Sequence, residues 1–268
     1  MSTGASTGAA SLPFPPVEMR TLVGPVESWL FDNPSGDLVF PQVPPAAYES
    51  VLDLGCGCGR IARQLIQQRR RPAAYLGLDL HAGMVAWCRT HLAPHAPGFR
   101  FEHHDVHNPG LNPHGPKALV PLPAEDASFT LVVAWSVFTH LLQEQAVHYL
   151  REAARVLRPD GRLLSTWFLF DKRLFPMMQD FQNALFINEQ DPTNAVLFDR
   201  RFLLATAAEL GLKLVHARVP KTRGYQWQLV FAPRSSPRAE VALPEDASPI
   251  GRPRRPPLLP ADAERIGR

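Results

Sequence analysis

The chain of 268 residues is long enough for one α/β domain with a sizeable core, and its hydrophobic content of 45% is that of an ordinary globular protein. It has no apolar run of about 18 residues and no secretory signal at its start, which argues against a membrane span. From Pro233 onward, seven arginines face five acidic residues, so +2 of the formal net charge of +3 lies there. The rest of the chain is too weakly basic to indicate a nucleic-acid partner.

Composition also predicts the ends of the chain and its compartment. The three cysteines (Cys56, Cys58 and Cys88) are an odd, sparse set, which indicates free thiols and a cytoplasmic location. Small polar residues predict disorder over 1–12, and a Pro/Arg-rich composition predicts a disordered tail over 234–268. Between the first of these and the domain, residues 13–48 are rich in proline and aromatic residues and are expected to form an N-terminal lid segment.

Strand and helix patterns alternate from residue 50 onward, which is typical of a parallel sheet with crossover helices. The sequence RPDG at 158–161 is expected to form a turn. The predicted strands lie at 50–55, 73–80, 99–106, 129–138 and 161–170, with helices at 59–70, 81–92, 143–157 and 200–210, and a closing strand pair at 213–220 and 225–233.

The strongest motif is VLDLGCGCGR at 51–60, between a predicted strand and a predicted helix. Its glycines let the backbone turn tightly and approach a ligand. A dinucleotide fingerprint would have its third glycine at Arg60, but the pattern here is D-x-G-x-G-x-G. The acidic Asp53 before the first glycine would repel a pyrophosphate and suits the cationic amino group of a methionine moiety.

Two further carboxylates end predicted strands. Asp79 follows Gly59 by twenty residues and can accept hydrogen bonds from both hydroxyls of a ribose, although it could instead cap the following helix. Asp105 ends the third strand, where it could read an adenine amino group or simply cap a loop.

The segment from Ser50 to Thr166 resembles the class I S-adenosylmethionine-dependent methyltransferases, in their broad small-molecule branch. The matching stretches are VLDLGCGCGR, YLGLDLHAGM, HHDV, LPAEDASFTLVVAWSVFTHL and REAARVLRPDGRLL. This resemblance implies a Rossmann-like, doubly wound, seven-stranded sheet with its last strand antiparallel, within a domain over 49–233. It also implies a helical or aromatic substrate lid at about 167–198. One departure is Thr130, where the family often has Asp at a position that supports the fold.

The resemblance also implies which residues contact S-adenosyl-L-methionine. Asp53 and the glycine loop would hold the methionine end, Asp79 the ribose, and Trp135 would lie near the methyl group. The full expected set is Asp53, Gly55, Cys56, Gly57, Gly59, Asp79, Leu80, Met84, Asp105, Val106 and Trp135.

Methyl transfer from a sulfonium mainly needs orientation, with a base where the acceptor must lose a proton. His140, in the loop after the fourth strand, is the candidate base, with a packing or cofactor-lining role as the alternative. His103, His104, His107 and His114 form a loose group, but adjacent side chains on a strand point to opposite faces, so we expect no metal site.

The stretch 167–198 is too apolar for a solvated loop, and we interpret it as one wall of a substrate pocket, with extra core or a dimer contact as the alternative. A small, partly hydrophobic acceptor methylated on oxygen or nitrogen follows from this interpretation. The alternatives are a methyltransferase acting on RNA or protein and a non-catalytic relative, and the oligomeric state is left open. The expected pocket residues are Trp29, Phe31, Trp167, Phe170, Phe175 and Met178.

Overall fold

The computed structural model describes residues 12–24 and 26–249. The disorder predicted for residues 1–11 and 250–268 therefore lies outside the described residues. None of the helices within the described ranges is both long enough and apolar enough to cross a bilayer. The helices are α1 (Val17–Leu22), α2 (Arg60–Gln67), α3 (Ala82–His91), α4 (Gln143–Val156) and α5 (Arg200–Glu209). The strands are β1 (Ser50–Leu54), β2 (Ala74–Asp79), β3 (Phe99–His103), β4 (Phe129–Ala134), β5 (Leu157–Phe170), β6 (Ala184–Phe186), β7 (Val196–Asp199), β8 (Leu212–Arg218) and β9 (Trp227–Pro233).

The main sheet has the predicted seven strands. β3, β2, β1, β4 and β5 are neighbours in that order and all parallel, β9 then pairs antiparallel with β5, and β8 pairs antiparallel with β9. The chain thus crosses to one side of β1 for β2 and β3 and to the other side for β4 and β5. Ligands of open α/β sheets bind at this reversal, beside the carboxyl ends of the strands.

Both faces of this sheet are buried. Neighbouring residues of a strand point to opposite faces, so β1 alone shows this. In β1, Val51 belongs to the core on one face, whereas Leu52 and Leu54 belong to the core on the other. Thr130, at the position of the departure noted above, is buried at the start of β4. Its Oγ1 accepts from the Ser50 amide at 2.8 Å, so it joins the starts of β1 and β4 and supports the fold.

The predicted turn at 158–161 lies inside a strand. Opposite it, Phe129 pairs with Leu157 but Leu131 pairs with Arg162, so the RPDG residues bulge out of β5. A bulge of this kind accommodates turn residues without ending the strand.

The segment after β5 contains no α-helix between residues 171 and 199. It has short 3-10 turns at Lys172–Leu174 and Pro192–Asn194, and a ladder in which β6 pairs with β7 and β7 pairs with residues 168–170 of β5. The described residues before β1 include one α-helix, α1.

Residues 234–249, part of the tail predicted to be disordered, make defined contacts with the fold. Val241 N donates to the Leu214 carbonyl, and the Arg200 guanidinium donates to the carbonyls of Leu243 and Pro244. Leu243 packs against the core cluster that includes Leu214. The composition of this stretch indicates disorder because it contains few apolar residues. Composition does not show that these residues are anchored by partners distant in sequence.

Candidate functional site

The glycine loop lies at the carboxyl end of β1, where the strand order reverses. Gly55, Gly57 and Gly59 have φ values of +74°, +54° and +81°, a region that residues with a Cβ seldom adopt. The amides of Gly55 and Cys56 both donate to the Leu78 carbonyl, at 2.8 and 3.0 Å, which ties the loop to the end of β2. The predicted tight turn is therefore present.

Asp53 is completely buried beneath this loop. One carboxylate oxygen, Oδ2, accepts from the Tyr75 hydroxyl at 2.7 Å, while Oδ1 is buried and has no hydrogen-bond partner among the described residues. Burial raises the pKa of this carboxyl to about 7, against the lowering effects of Tyr75 and the Arg60 charge. An acceptor left without a donor in this place fits a bound ammonium group.

Asp79 connects the glycine loop to the end of β2. Its Oδ2 accepts from the Gly57 amide at 2.7 Å and its Oδ1 from the His81 amide at 2.8 Å. It does not cap α3, because His81 does so, with Nδ1 accepting from the Met84 amide at 3.2 Å. Burial raises the pKa of Asp79. Each carboxylate oxygen has a further lone pair, so both can still accept from a ribose hydroxyl.

The residues expected around adenine lie at the adjacent strand ends. Asp105 is exposed and its Oδ1 accepts from the Asn112 amide group at 2.8 Å, a contact that holds the following loop. Val106 and Leu80 are half-buried, and Met84, in α3, is buried. The structure thus brings these positions to one edge of the sheet, as the parallel strands require.

Trp135, expected near the methyl group, directly follows β4 and is half-buried. Its ring stacks on Phe40 with centroids 5.6 Å apart. The next residue, Ser136, has a φ of +59°, which a serine rarely adopts, and its amide donates to Thr166 Oγ1 at 2.7 Å. The backbone is therefore strained where the expected reaction centre begins.

A strap formed by residues 12–24 and 26–37 covers the glycine loop. Val23 lies against Gly57, since a Cβ built on that glycine would come within 2.7 Å of the valine side chain. Arg63 of α2 holds the strap: its guanidinium donates to the carbonyls of Leu12 and Phe31 and to the Asp32 carboxylate. This role could not be predicted from local sequence patterns, because the partners of Arg63 are distant in the chain.

Comparison with known proteins decides the kind of domain. Residues 51–161 match the sequence model of a family described as "Methyltransferase domain". Residues 51–161 carry the sequence of a methyltransferase domain, as the resemblance to the S-adenosylmethionine-dependent enzymes implies. The match spans the glycine loop, Asp79 and the strands that hold them.

The methyltransferase domain also matches curated proteins. The chain is 44% identical over 88 residues to trans-aconitate 2-methyltransferase of Methylobacterium nodulans, covering 33% of this chain and 31% of the relative. It is 33% identical over 134 residues to arsenite methyltransferase of Aquipseudomonas alcaligenes, covering 49% of this chain and 37% of the relative. The matched parts thus span about a third of the length of these relatives.

Solved structures agree on the fold. A chain in the complex between the Haloferax volcanii Trm112 methyltransferase activator and a methyltransferase has a TM-score of 0.50 and 17% identity, covering 69% of this chain and 82% of that one. At this identity the likeness shows the fold of the methyltransferase domain alone.

His140, the candidate base, is exposed in a 3-10 turn after β4. Its Nδ1 lies 2.9 Å from the Thr193 carbonyl oxygen. Because a carbonyl can only accept, Nδ1 must carry the proton, and the neutral ring then keeps a free lone pair on Nε2. The tautomer is the one that a base acting through Nε2 requires.

The six aromatic and methionine side chains expected to line the substrate pocket do not form one wall. Phe31 and Trp167 are fully buried in separate core clusters, and Trp29 is exposed at the surface. Trp167 stacks on Phe138 with centroids 4.1 Å apart, so it is core. Phe170 and Phe175 contact each other edge to face, with centroids 5.6 Å apart, and Met178 is half-buried in the same segment.

The histidines and cysteines considered above lie in different surroundings. His103 is exposed, whereas His104 is buried with Nε2 2.9 Å from the Tyr149 hydroxyl, and burial lowers its pKa. Within the described ranges, no group of three or more His, Cys, Asp or Glu side chains could hold a metal ion. The three cysteines, Cys56 among them, are free and buried.

Proposed function

We propose that the protein transfers a methyl group from S-adenosylmethionine to an oxygen or nitrogen of a small, partly hydrophobic acceptor. The observation that carries the proposal is the unpartnered Oδ1 of Asp53 beneath a glycine loop whose Gly57 amide is fixed by Asp79. An ammonium group at Asp53 and a ribose at Asp79 match the two ends of this donor. The remaining contacts expected from the resemblance are proposed with them.

The donor supplies an electrophilic methyl on a sulfonium. The residues of the chain have to orient the acceptor lone pair in line with it, exclude water and remove a proton where the acceptor carries one. We assign the last task to Nε2 of His140, whose orientation is fixed by the Thr193 carbonyl. Charge build-up on the acceptor is then avoided because the proton leaves as the new bond forms.

Two observations support a small, partly apolar acceptor. The charge of the domain is close to balanced, which does not favour a large polyanion. In addition, the segment after β5 exposes Leu174, Met177, Phe181 and Ile187 by 71% or more, an apolar surface that could fold over such an acceptor. The named acceptors of the relatives, trans-aconitate and arsenite, are chemically unlike, so they support methyl transfer without indicating one acceptor.

Calorimetric titration with S-adenosylhomocysteine tests the donor site, with NAD as the control ligand. We expect micromolar binding of the former, no binding of NAD, and at least about tenfold weaker binding by Asp79→Ala, since the ribose contacts are lost. Folded protein that fails to bind S-adenosylhomocysteine would overturn the proposal.

The acceptor is tested with donor carrying a labelled methyl group, offered with panels of small aromatic phenols and amines, RNA and protein. Transfer to a phenol or amine supports the proposal, and transfer only to RNA or protein contradicts the acceptor class. With the acceptor found, His140→Ala should lower kcat while leaving S-adenosylhomocysteine binding unchanged. Turnover at the parental rate would show that His140 is not the base.

A further inference from the structure

The inner side of α1 lies on the glycine loop. Met19 and Val23 pack against a small cluster that contains Cys58 and Met84. Cys58 belongs to the glycine loop, and Met84 is one of the residues expected around adenine. Val23 also meets Gly57, as described above. Arg20, between the two packing residues, is therefore carried by the strap to the part of the loop where the methionine end of the donor is expected.

The guanidinium of Arg20 is only partly paired. One terminal nitrogen donates to the Val26 carbonyl, but Nε is buried and has no acceptor among the described residues. Within the described ranges, Arg20 takes part in no ion pair with a carboxylate. Its charge also acts on the Cys58 thiol, lowering a pKa that burial raises, which places the charge close to the loop. A buried N–H of a cation without an acceptor is unfavourable, so this group is suited to donate to an anion.

The methionine end of the donor supplies such an anion. It carries an ammonium, for which Asp53 has a free acceptor, and a carboxylate, for which residues 55–59 of the glycine loop offer no cationic side chain. The other cation nearby is Arg60, whose charge acts chiefly on Asp53 and thereby offsets that buried carboxyl. Arg20 is the cation that remains.

We propose that Arg20 binds the carboxylate of the methionine moiety through its Nε–H, so that the donor and the strap hold each other in place. This inference rests on the proposed donor site. It predicts that the strap closes over the donor, because Arg20 contributes its contact only when α1 lies on the loop.

The test pairs a change in the ligand with a change in the protein. S-adenosylhomocysteine and its decarboxylated analogue, which keeps the amine, are titrated calorimetrically into wild type, Arg20→Gln and Arg60→Gln. Wild type should bind the analogue about tenfold to a hundredfold more weakly, the value of one charge-assisted contact. Arg20→Gln should bind S-adenosylhomocysteine more weakly by a similar factor and bind both ligands alike, whereas Arg60→Gln should still discriminate between them.

The outcomes are separable. Equal binding of the two ligands by wild type overturns the proposal, as does discrimination that survives in Arg20→Gln or disappears only in Arg60→Gln. Thermal unfolding of each variant shows that it is folded before its affinity is compared, and Arg20→Lys, which keeps the charge, should restore part of the discrimination. If wild type binds neither ligand, the proposed function has failed rather than the role of Arg20 alone.

Discussion

The guanidinium of Arg63 lies 2.6 Å from the carboxylate of Asp32, and this pair joins α2 to the far end of the strap. The same guanidinium donates to the carbonyl of Leu12 near the other end of the strap and lies 3.6 Å above the Phe14 ring. One side chain of the helix that follows the glycine loop thus fastens both ends of the segment that covers it. We therefore expect the charge of Asp32 to help hold the strap in place.

Acid should loosen the strap through Asp32. The hydrogen bond from Arg63, with a further one from Gln67, holds the pKa of Asp32 below its ordinary 3.8. A carboxyl with a lowered pKa in the folded state stabilises it above the unfolded pKa and loses that contribution as the pH falls through the folded value. Amide hydrogen exchange over residues 17–23, corrected for its intrinsic pH dependence, should therefore accelerate below about pH 4.

Two variants check this assignment. In Asp32→Asn the strap should already exchange faster at pH 7 and gain little further with acid. Asp37→Asn removes a carboxylate of the same segment that pairs with Arg69 at 3.4 Å on the surface, and it should leave the exchange unchanged. Similar behaviour of the two variants would contradict the role given to Asp32.

Asp53 should make the protein less stable as the pH rises from about 4 to 7. Its folded pKa of about 7, raised by burial, exceeds the ordinary 3.8, so the unfolded chain loses this proton first. The free energy of unfolding of Asp53→Asn, relative to wild type, should then increase across this range and level off above it. The pKa of Asp53 also depends on Tyr75, Arg60 and Asp79. The change of relative stability with pH therefore measures their combined effect with burial.

Urea unfolding at several pH values measures the effect on Asp53. Asp105→Asn, at an exposed carboxylate, is the control. A relative stability of Asp53→Asn that stays flat with pH would show that Asp53 is ionised in the folded protein throughout.

The glycine loop was predicted correctly from the sequence, because a positive φ at three alternate positions can be read from Gly55, Gly57 and Gly59 themselves. The alternation of strand and helix patterns likewise predicts the parallel pairing of β1 to β5, whereas the seven-stranded sheet is implied by the resemblance. The role of Arg63 could not be predicted, since its partners are about 30 to 50 residues away. The aromatic-rich stretch at 167–198 predicts a pocket position for Trp167, but its burial depends on which face of a long strand it occupies.

Gly59→Ala should destabilise the domain by about 2 kcal/mol or more. The residue has a φ of +81°, and a Cβ there would come within 2.4 Å of the Leu92 side chain and 3.0 Å of the Cys88 sulfur. Gly110→Ala is the matched control, because φ is not positive there and the nearest atom lies 3.7 Å away. Chemical denaturation of both variants should show a loss for the first and a change below about 1 kcal/mol for the second. Equal effects would mean that strain and packing at Gly59 are relieved elsewhere.

Leu243→Ala should destabilise the fold although the residue lies in a stretch whose composition predicts disorder. Its side chain is half-buried against the core cluster of α5 and β8, and the Arg200 guanidinium donates to its carbonyl at 2.9 Å. Partial loss of a buried leucine costs about 1 to 2 kcal/mol. Leu174→Ala removes the same atoms from a side chain that is 76% exposed and should cost less than about 0.5 kcal/mol. If urea unfolding gave the same midpoint for both variants, residues 234–249 would not contribute to stability, and their contacts with α5 and β8 would be only marginally populated.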